Sequence, residues 1–199
     1  MENPIVAPSG RPVSTVKGEL LDQVAQLERN LADMQPLIRE LQLNWCRPET
    51  EEAFAPLLDG NWELIYTSTP ALARSGLDAL PGLQRGKTYQ CIDVAAGRMR
   101  NVAELSGPFG LAGLVVVSAG FELENLIRIR VAFEQTAILW GGLAGYSSVQ
   151  DAIERVEAGE GVGLRLPVSS EGTVDTLYVD EDLRIGLGNR GTLFILRRP

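Results

Sequence analysis

The clearest strand pattern in the sequence is Ile127-Arg128-Ile129-Arg130-Val131-Ala132-Phe133-Glu134. Its odd positions are apolar and its even positions are mostly polar, which is the two-residue period of a β-strand with one buried and one solvated face. We therefore expect Arg128 and Arg130 to point outward. Similar patterns predict the other strands at residues 61–67, 88–94, 99–105, 114–124, 163–168, 173–179 and 192–197, and this strand at 126–134.

These predicted strands follow one another through short turns that contain Gly or Asn. Such an order favours an antiparallel meander, either a closed barrel or a sandwich. Closure is preferred because it removes exposed strand edges. A barrel of about eight strands is either filled by side chains or holds one small ligand. The predicted class is mainly β, an antiparallel β-barrel with an N-terminal helical segment (α+β).

The region before the barrel divides into two parts. Prolines and a glycine predict that residues 1–16 form a mobile arm, and residues 17–58 are predicted to be helical, ahead of a barrel at 59–199. Because proline lacks an amide hydrogen, the helix is expected to kink or restart at Pro36 as a bent helix or a helical hairpin. One helical stripe carries the apolar positions Leu20, Val24, Leu27, Leu31, Met34, Ile38 and Leu41.

Composition excludes several classes of function. The 199 residues include 18 basic and 26 acidic side chains, and the net charge of −8 lacks the positive field that nucleic acid binding requires. The chain has no histidine, so a Ser-His-Asp triad and a histidine-ligated zinc are excluded. Cys46 and Cys91 are too far apart for a CxxC motif and are expected to be reduced thiols. We expect no catalytic residues, metal or cofactor.

We expect neither a targeting segment nor a membrane anchor in this sequence. Its N-terminus has neither a signal segment nor the character of a transit peptide, and no apolar run is long enough to span a bilayer. We therefore expect a complete cytosolic chain or an already mature one, which lies on a membrane without crossing it.

Two motifs resemble the plastid lipid-associated protein (PAP) family, also called fibrillins. They are LDGNWELIYTS at 58–68, after a helical N-terminus, and YVDEDLRIGLGNRGTLFIL at 178–196. The family occurs in plastids and cyanobacteria, so the resemblance implies a lipocalin-like barrel associated with thylakoids, lipid globules, carotenoid deposition and photoprotection. Without a transit peptide the chain looks like a cyanobacterial member. One departure is Leu187, where family members often carry a basic residue.

The resemblance to lipocalins extends to Gly60-Asn61-Trp62, since a Gly-x-Trp closes one end of their barrels. Trp62 is expected to act as a structural plug, with a ligand contact as the alternative. In lipocalins an arginine from a late strand packs over this tryptophan. Arg184 is the candidate here, and the alternative is a solvated strand residue.

The resemblance implies carriage of a small apolar ligand such as a carotenoid, a prenylquinone or a fatty acid. The alternatives are a scaffold that docks onto a membrane-associated enzyme, such as one of prenylquinone synthesis, and an enzyme that uses carboxylates alone. The residues expected to line the cavity are Trp62, Leu64, Tyr66, Ile129, Val131, Phe133, Leu177, Arg184 and Phe194.

Two uncharged stretches, 105–121 and 135–150, join strand patterns to glycine-rich apolar loops. They are either core strands with a folded-in lid or the frame of the barrel's open end, in contact with lipid. The expected setting is the cytoplasmic face of a thylakoid or a lipid globule in a cyanobacterium-like cell, or a plastid for a mature plant-type chain. The expected contact residues are Phe109, Leu111, Trp140 and Tyr146.

Two features of the C-terminal motif are expected to be turns and not a metal or phosphate site. Asp180-Glu181-Asp182 supplies too few oxygens for a calcium site and is expected to be a solvated turn, in which an aspartate pairs with Arg184 or Arg190. The glycines Gly186, Gly188 and Gly191 are expected to form a tight hairpin turn rather than a phosphate loop.

Overall fold

An antiparallel β-barrel of eight strands follows three helices in the computed structural model, which describes residues 10–26, 30–69, 84–141, 146–160 and 163–199. The helices are α1 (Val13–Ala25), α2 (Leu31–Asn44), α3 (Glu51–Leu58) and α4 (Val149–Glu157). The strands are β1 (Gly60–Thr67), β2 (Gln84–Asp93), β3 (Arg98–Ser106), β4 (Ala112–Leu123), β5 (Arg128–Trp140), β6 (Gly163–Val179), β7 (Leu183–Gly188) and β8 (Leu193–Arg197).

The strand order confirms the predicted fold class. Each strand pairs with the next one along the chain, and β8 pairs with β1 to close the barrel. The α3 end of the barrel holds the start of β1, and the distal end holds the β3–β4 turn. Within the described ranges, no helix combines the length and the apolar character needed to cross a bilayer.

The N-terminal helices differ from the prediction at two places. Helix α1 begins at Val13, inside the segment predicted as an arm, because Val16 is buried against the barrel wall. A restart at Pro36 is contradicted, since Pro36 lies inside α2. The second helix of the hairpin begins at Leu31 instead, where the Asn30 side chain accepts a hydrogen bond of 3.0 Å from the Ala32 amide and caps α2.

Three elements of the barrel region also differ from the prediction. Strand β6 is continuous over Gly163–Val179, where two strands were expected. Helix α4 was not predicted, although Ser148 accepts a hydrogen bond from the Asp151 amide as an N-cap does. Gly186 and Gly188 lie in β7 rather than in a turn, and a Cβ on Gly186 would stand 3.0 Å from Val174 Cγ1. Gly186 therefore permits close packing and not a reversal of the chain.

The core has layers on both sides of the barrel wall. Helices α1 and α2 cover the outer face of β6, β7 and β8, and α4 covers the outer face of β4 and its neighbours. Helix α3 closes one end of the barrel, because its buried Phe54 and Leu58 pack among the inward side chains. Thr50 caps α3 by accepting a hydrogen bond of 3.3 Å from the Ala53 amide.

Candidate ligand site in the barrel

The interior near α3 is a continuous apolar cluster. Trp62 and Ile129 are fully buried within it, and Phe133 and Phe194 pack against it from partly buried positions. The buried members of this cluster are Phe54, Leu58, Trp62, Ile92, Met99, Ala119, Phe121, Ile129, Val131, Val179 and Leu196. Large side chains therefore fill the α3 end of the barrel.

Trp62 is held in place from two sides. Its indole Nε1 donates a hydrogen bond of 2.8 Å to the Leu58 carbonyl at the end of α3. The guanidinium of Arg198 lies 4.3 Å from the centroid of the ring. The prediction that Arg184 packs over Trp62 is therefore wrong, and Arg198, which follows the last strand, takes that position. Trp62 is a plug at the α3 end.

Arg184 instead occupies the interior of the barrel. It pairs in register with Leu196, which belongs to the interior cluster, whereas its neighbours Leu183 and Ile185 face α1 and α2. Its Nη1 donates to the Gln90 Oε1 on β2. Strands β8 and β1 separate β7 from β2, so the side chain spans the inside of the barrel.

This buried cation is part of a polar layer. Gln90 Nε2 donates a hydrogen bond of 3.2 Å to Asn101 Oδ1 on β3, which extends the layer along the wall. Only 1% of the Arg184 surface is exposed. Burial lowers the pKa of its guanidinium to about 10, which leaves it protonated at neutral pH.

A cleft lies between the end of α1 and the β1–β2 wall. Among the described residues, these strands pair from Gly60–Ile92 to Glu63–Tyr89, and the cleft is lined by residues of both strands beyond that point. The cleft has a volume of about 770 Å³. Its wall includes Leu64, which packs against the interior cluster. The residues around it are Leu21, Val24, Ala25, Glu63, Leu64, Ile65, Tyr66, Thr67, Arg85, Gly86, Lys87, Thr88 and Arg197.

Charged side chains mark the rim of the cleft. Glu63 pairs with Arg197 at 3.0 Å and with Lys87 at 3.5 Å. Burial of Glu63 opposes ionisation, but these two cations outweigh it and keep the pKa of the carboxyl below its usual range. The mouth of the cleft is therefore ionic while the barrel cluster behind it is apolar.

Two predicted cavity residues lie on the outer face. A β-bulge between Leu64 and Tyr66 turns Tyr66 towards the cluster under α1 and α2. A second bulge between Thr176 and Tyr178 does the same for Leu177. The extra residue in a bulge reverses the alternation of faces, which a simple two-residue period does not anticipate. Of the other predicted residues, the structure brings Trp62, Leu64, Ile129, Val131, Phe133 and Phe194 together in the interior cluster.

The predicted lipid-contact residues divide between exposed and packed positions. Phe109 is fully exposed in the β3–β4 turn, and its backbone adopts the left-handed conformation with φ of 59°. Leu111 follows it and is also exposed. In contrast, Trp140 packs against the apolar cluster at the distal end of the barrel interior, which consists of Ala103, Leu105 and Val115. Tyr146 packs on the cluster under α4. The glycine-rich residues 142–145 lie outside the described residues.

Asp180 organises the turn between β6 and β7. Its carboxylate accepts hydrogen bonds of 2.6 Å from both Lys17 Nζ and the Tyr178 hydroxyl, and it also accepts from the amides of Asp182 and Leu183. The acidic run is thus a turn, as expected, but its cationic partner is Lys17 on α1 and not Arg184 or Arg190. Asp180 thereby ties the helical segment to the barrel.

Comparison with known proteins places this barrel in a family. The family model PAP_fibrillin matches residues 13–197, which include α1 and all eight strands. The chain belongs to the PAP/fibrillin family. No solved structure matches this family member.

Curated relatives of this PAP/fibrillin chain carry plastid names. It is 31% identical to Plastoglobulin-1, chloroplastic, of Pisum sativum, over 94% of the chain and 56% of that protein. It is 27% identical to Chromoplast-specific carotenoid-associated protein C2, chromoplastic, of an Oncidium hybrid cultivar, over 92% of the chain and 69% of that protein. Probable plastid-lipid-associated protein 2, chloroplastic, of Arabidopsis thaliana is 25% identical over 91% of the chain and 69% of that protein. The chain thus spans little more than half of the plastoglobulin.

Proposed function

We propose that this PAP/fibrillin chain is a non-enzymatic carrier of a small apolar lipid or isoprenoid, of the class of carotenoids, prenylquinones and fatty acids. The cleft beside β1 and β2 carries the proposal, because Leu64 in its wall also packs against the apolar interior cluster. Its volume of about 770 Å³ lies in the range of about 300–1,000 Å³ that is common for small-molecule sites. The names of the relatives, which refer to plastoglobules and carotenoids, support the same class of ligand.

Affinity in such a site comes from removing apolar surface from water, at about 25 cal/mol per Å². At the rim, Glu63 keeps its ion pairs with the exposed Lys87 and Arg197, while a chain or ring enters beside Leu64 and Thr88. Thr88 is opposite Ala103, which belongs to the apolar cluster at the distal end. Through Leu64 and Thr88, the wall of the cleft adjoins both apolar clusters of the interior.

Native mass spectrometry after incubation with a carotenoid, a prenylquinone and a fatty acid tests the carrier function. We expect one ligand to be retained by the unchanged chain and lost in Thr88→Trp, where an indole fills the cleft. Thr173→Trp is the matched control, because Thr173 pairs with the exposed Arg130 on the outer face. Absence of every ligand from the unchanged chain, or equal retention by Thr88→Trp, would refute a carrier that works through this cleft.

The proposal places the carrier at a lipid surface, on a thylakoid or a lipid globule. The exposed Phe109 and Leu111 support this contact, since together they form an apolar tip on the β3–β4 turn. With a net charge of −8, attraction to anionic lipid is not the source of binding. Contact through the tip is apolar and depends little on salt. The cytoplasmic face of a cyanobacterial thylakoid and the plastid interior are the two settings proposed for it.

A scaffold that docks onto a membrane-associated enzyme is the second candidate. The observation that favours it is the filled interior at the α3 end, where Trp62 and Phe54 are fully buried. A scaffold retains no lipid in the mass spectrometry experiment. For a scaffold, the unchanged chain and Thr88→Trp are expected to bind an enzyme of prenylquinone synthesis equally well.

A further inference from the structure

Arg184 is an unusual side chain for the inside of an apolar barrel. It is among the largest fully buried side chains, beside Trp62 and Phe54. A buried cation is normally paired with a carboxylate, because taking a charge out of water costs free energy. In the part of the chain that the structure describes, no carboxylate forms an ion pair with Arg184, and its acceptor is the neutral Gln90 Oε1.

The hydrogen-bonding capacity of Arg184 is incompletely used. Nη1 donates to Gln90, whereas the buried Nε has no partner. An Arg Nε together with a terminal nitrogen matches the two oxygens of a carboxylate. Nε is therefore a buried donor of this guanidinium that lacks an acceptor among the described residues.

A second buried donor lies close by in the sheet. Thr176 Oγ1 is buried without a partner, and Thr176 pairs with Gly186, two residues along β7 from Arg184. Buried polar groups are almost always satisfied, so each of these two donors on the inner face calls for an acceptor. A ligand that accepts hydrogen bonds and carries one negative charge supplies an acceptor to Arg184 Nε.

We propose that Arg184 is the anchor for the carboxylate of a long-chain acid, whose apolar chain lies along the barrel interior towards the β1–β2 cleft. This inference rests on the proposed carrier function and narrows its ligand to acidic lipids. A carotenoid hydrocarbon leaves the cation uncompensated, and a quinone carbonyl offers no charge. A phosphate monoester brings about two charges to one buried cation. A single carboxylate is the head group whose one negative charge neutralises the one positive charge of Arg184.

Calorimetric titration with dodecanoic acid, 1-dodecanol and dodecylamine tests the inference, because these probes share one chain and differ in the charge of the head group. We expect the acid to bind the unchanged chain about tenfold to a hundredfold more tightly than the alcohol, and the amine to bind most weakly. In Arg184→Met the preference of acid over alcohol is expected to disappear while the alcohol still binds. Arg190→Met, in the exposed β7–β8 turn, is the matched control and keeps the full preference.

Each outcome separates the two proposals. Binding of none of the three probes by the unchanged chain refutes the anchor, and retention of no ligand in the mass spectrometry experiment refutes the carrier itself. Equal binding of acid and alcohol by the unchanged chain refutes the anchor and leaves the carrier intact. This comparison needs no variant, so it tests the Arg184 anchor even if Arg184→Met does not fold. An acid preference that survives in a folded Arg184→Met also refutes the anchor.

Discussion

The guanidinium of Arg198 lies 4.3 Å from the centre of the Trp62 ring and also donates hydrogen bonds to the carbonyls of Asp59 at 2.8 Å and Glu181 at 2.7 Å. Arg198 therefore joins three parts of the chain: the end of α3, the β6–β7 turn and the C-terminal residues after β8. Sequence reasoning missed this residue because it lies beyond the last strand pattern. The pattern of a late-strand arginine pointed to Arg184 instead.

Replacing Arg198 is expected to weaken the α3 end of the barrel. Arg198→Ala removes a cation–π contact and charge-assisted hydrogen bonds, so we expect the free energy of unfolding to fall by about 2–3 kcal/mol. Arg198→Lys keeps the charge over the ring without the planar fork, and its loss is expected to be smaller. Urea unfolding followed by tryptophan fluorescence measures both, with Arg190→Ala as the control. Equal stability of Arg198→Ala and Arg190→Ala would contradict this role.

The two cysteines are expected to differ in reactivity. Cys46 is exposed, whereas Cys91 is buried under α4, and burial raises the pKa of its thiol to about 11 against a smaller opposite effect of Arg100. Since the thiolate is the reactive form, a disulfide reagent at pH 8 should label Cys46 rapidly and Cys91 only after unfolding. Cys46→Ser supplies the control. Rapid labelling of folded Cys46→Ser would show that Cys91 is accessible.

The link between α1 and the barrel is expected to depend on pH through Asp180. Burial raises the pKa of this carboxyl, but the hydrogen bonds from Lys17 and Tyr178 outweigh burial and bring the pKa below its ordinary value. A carboxyl with a lowered pKa in the folded state stabilises the fold above its unfolded pKa of about 4, and this contribution is lost as the pH falls through the folded value.

Asp180→Asn should therefore be less stable than the unchanged chain at pH 7, and the difference should shrink at pH 2–3. Urea unfolding at several pH values measures it, with the exposed Glu181→Gln as the matched control. A stability difference between the unchanged chain and Asp180→Asn that is the same at pH 7 and at pH 2.5 would refute the role of the ionised carboxylate.

The alternation of apolar residues predicted the antiparallel strands, and the removal of exposed edges favoured a barrel over a sandwich, but neither could predict which face a residue takes beyond a bulge. Ile129 and Val131 lie inside because β5 keeps the two-residue period at this point. Tyr66 and Leu177 lie outside because one extra residue in β1 and in β6 reverses the faces. A bulge depends on the pairing of two strands that are distant in sequence, and a pattern within one strand does not contain that information.

The apolar character of the candidate site was predictable from the sequence, but its polar contacts were not. The apolar interior follows from the strand pattern, whereas the contact between Arg184 and Gln90 joins residues on strands that do not pair. Helix α4 could have been found from its own sequence, because Ser148 and Asp151 form a capping pattern ahead of the buried Ile153. Ser148 lies within the uncharged stretch 135–150, which the sequence pattern indicated to be an apolar loop.

Phe109 in the β3–β4 turn is expected to lower the free energy of unfolding and to strengthen binding to lipid. Phe109 combines full exposure with a left-handed backbone, which costs free energy for a bulky residue and buries nothing within the chain. Asn tolerates that conformation, so Phe109→Asn should keep or raise the free energy of unfolding, by up to about 1 kcal/mol. Loss of the ring should weaken binding to phosphatidylcholine vesicles by about tenfold or more.

Vesicle flotation at low and high salt measures this binding, and urea unfolding measures the stability. Leu43→Asn is the matched control, because Leu43 is an exposed apolar residue on α2, away from the turn. We expect Leu43→Asn to float like the unchanged chain, and we expect added salt to change neither result, since the contact is apolar. If Phe109→Asn floats as well as Leu43→Asn, the tip does not insert into lipid, and the strained conformation of Phe109 needs another explanation.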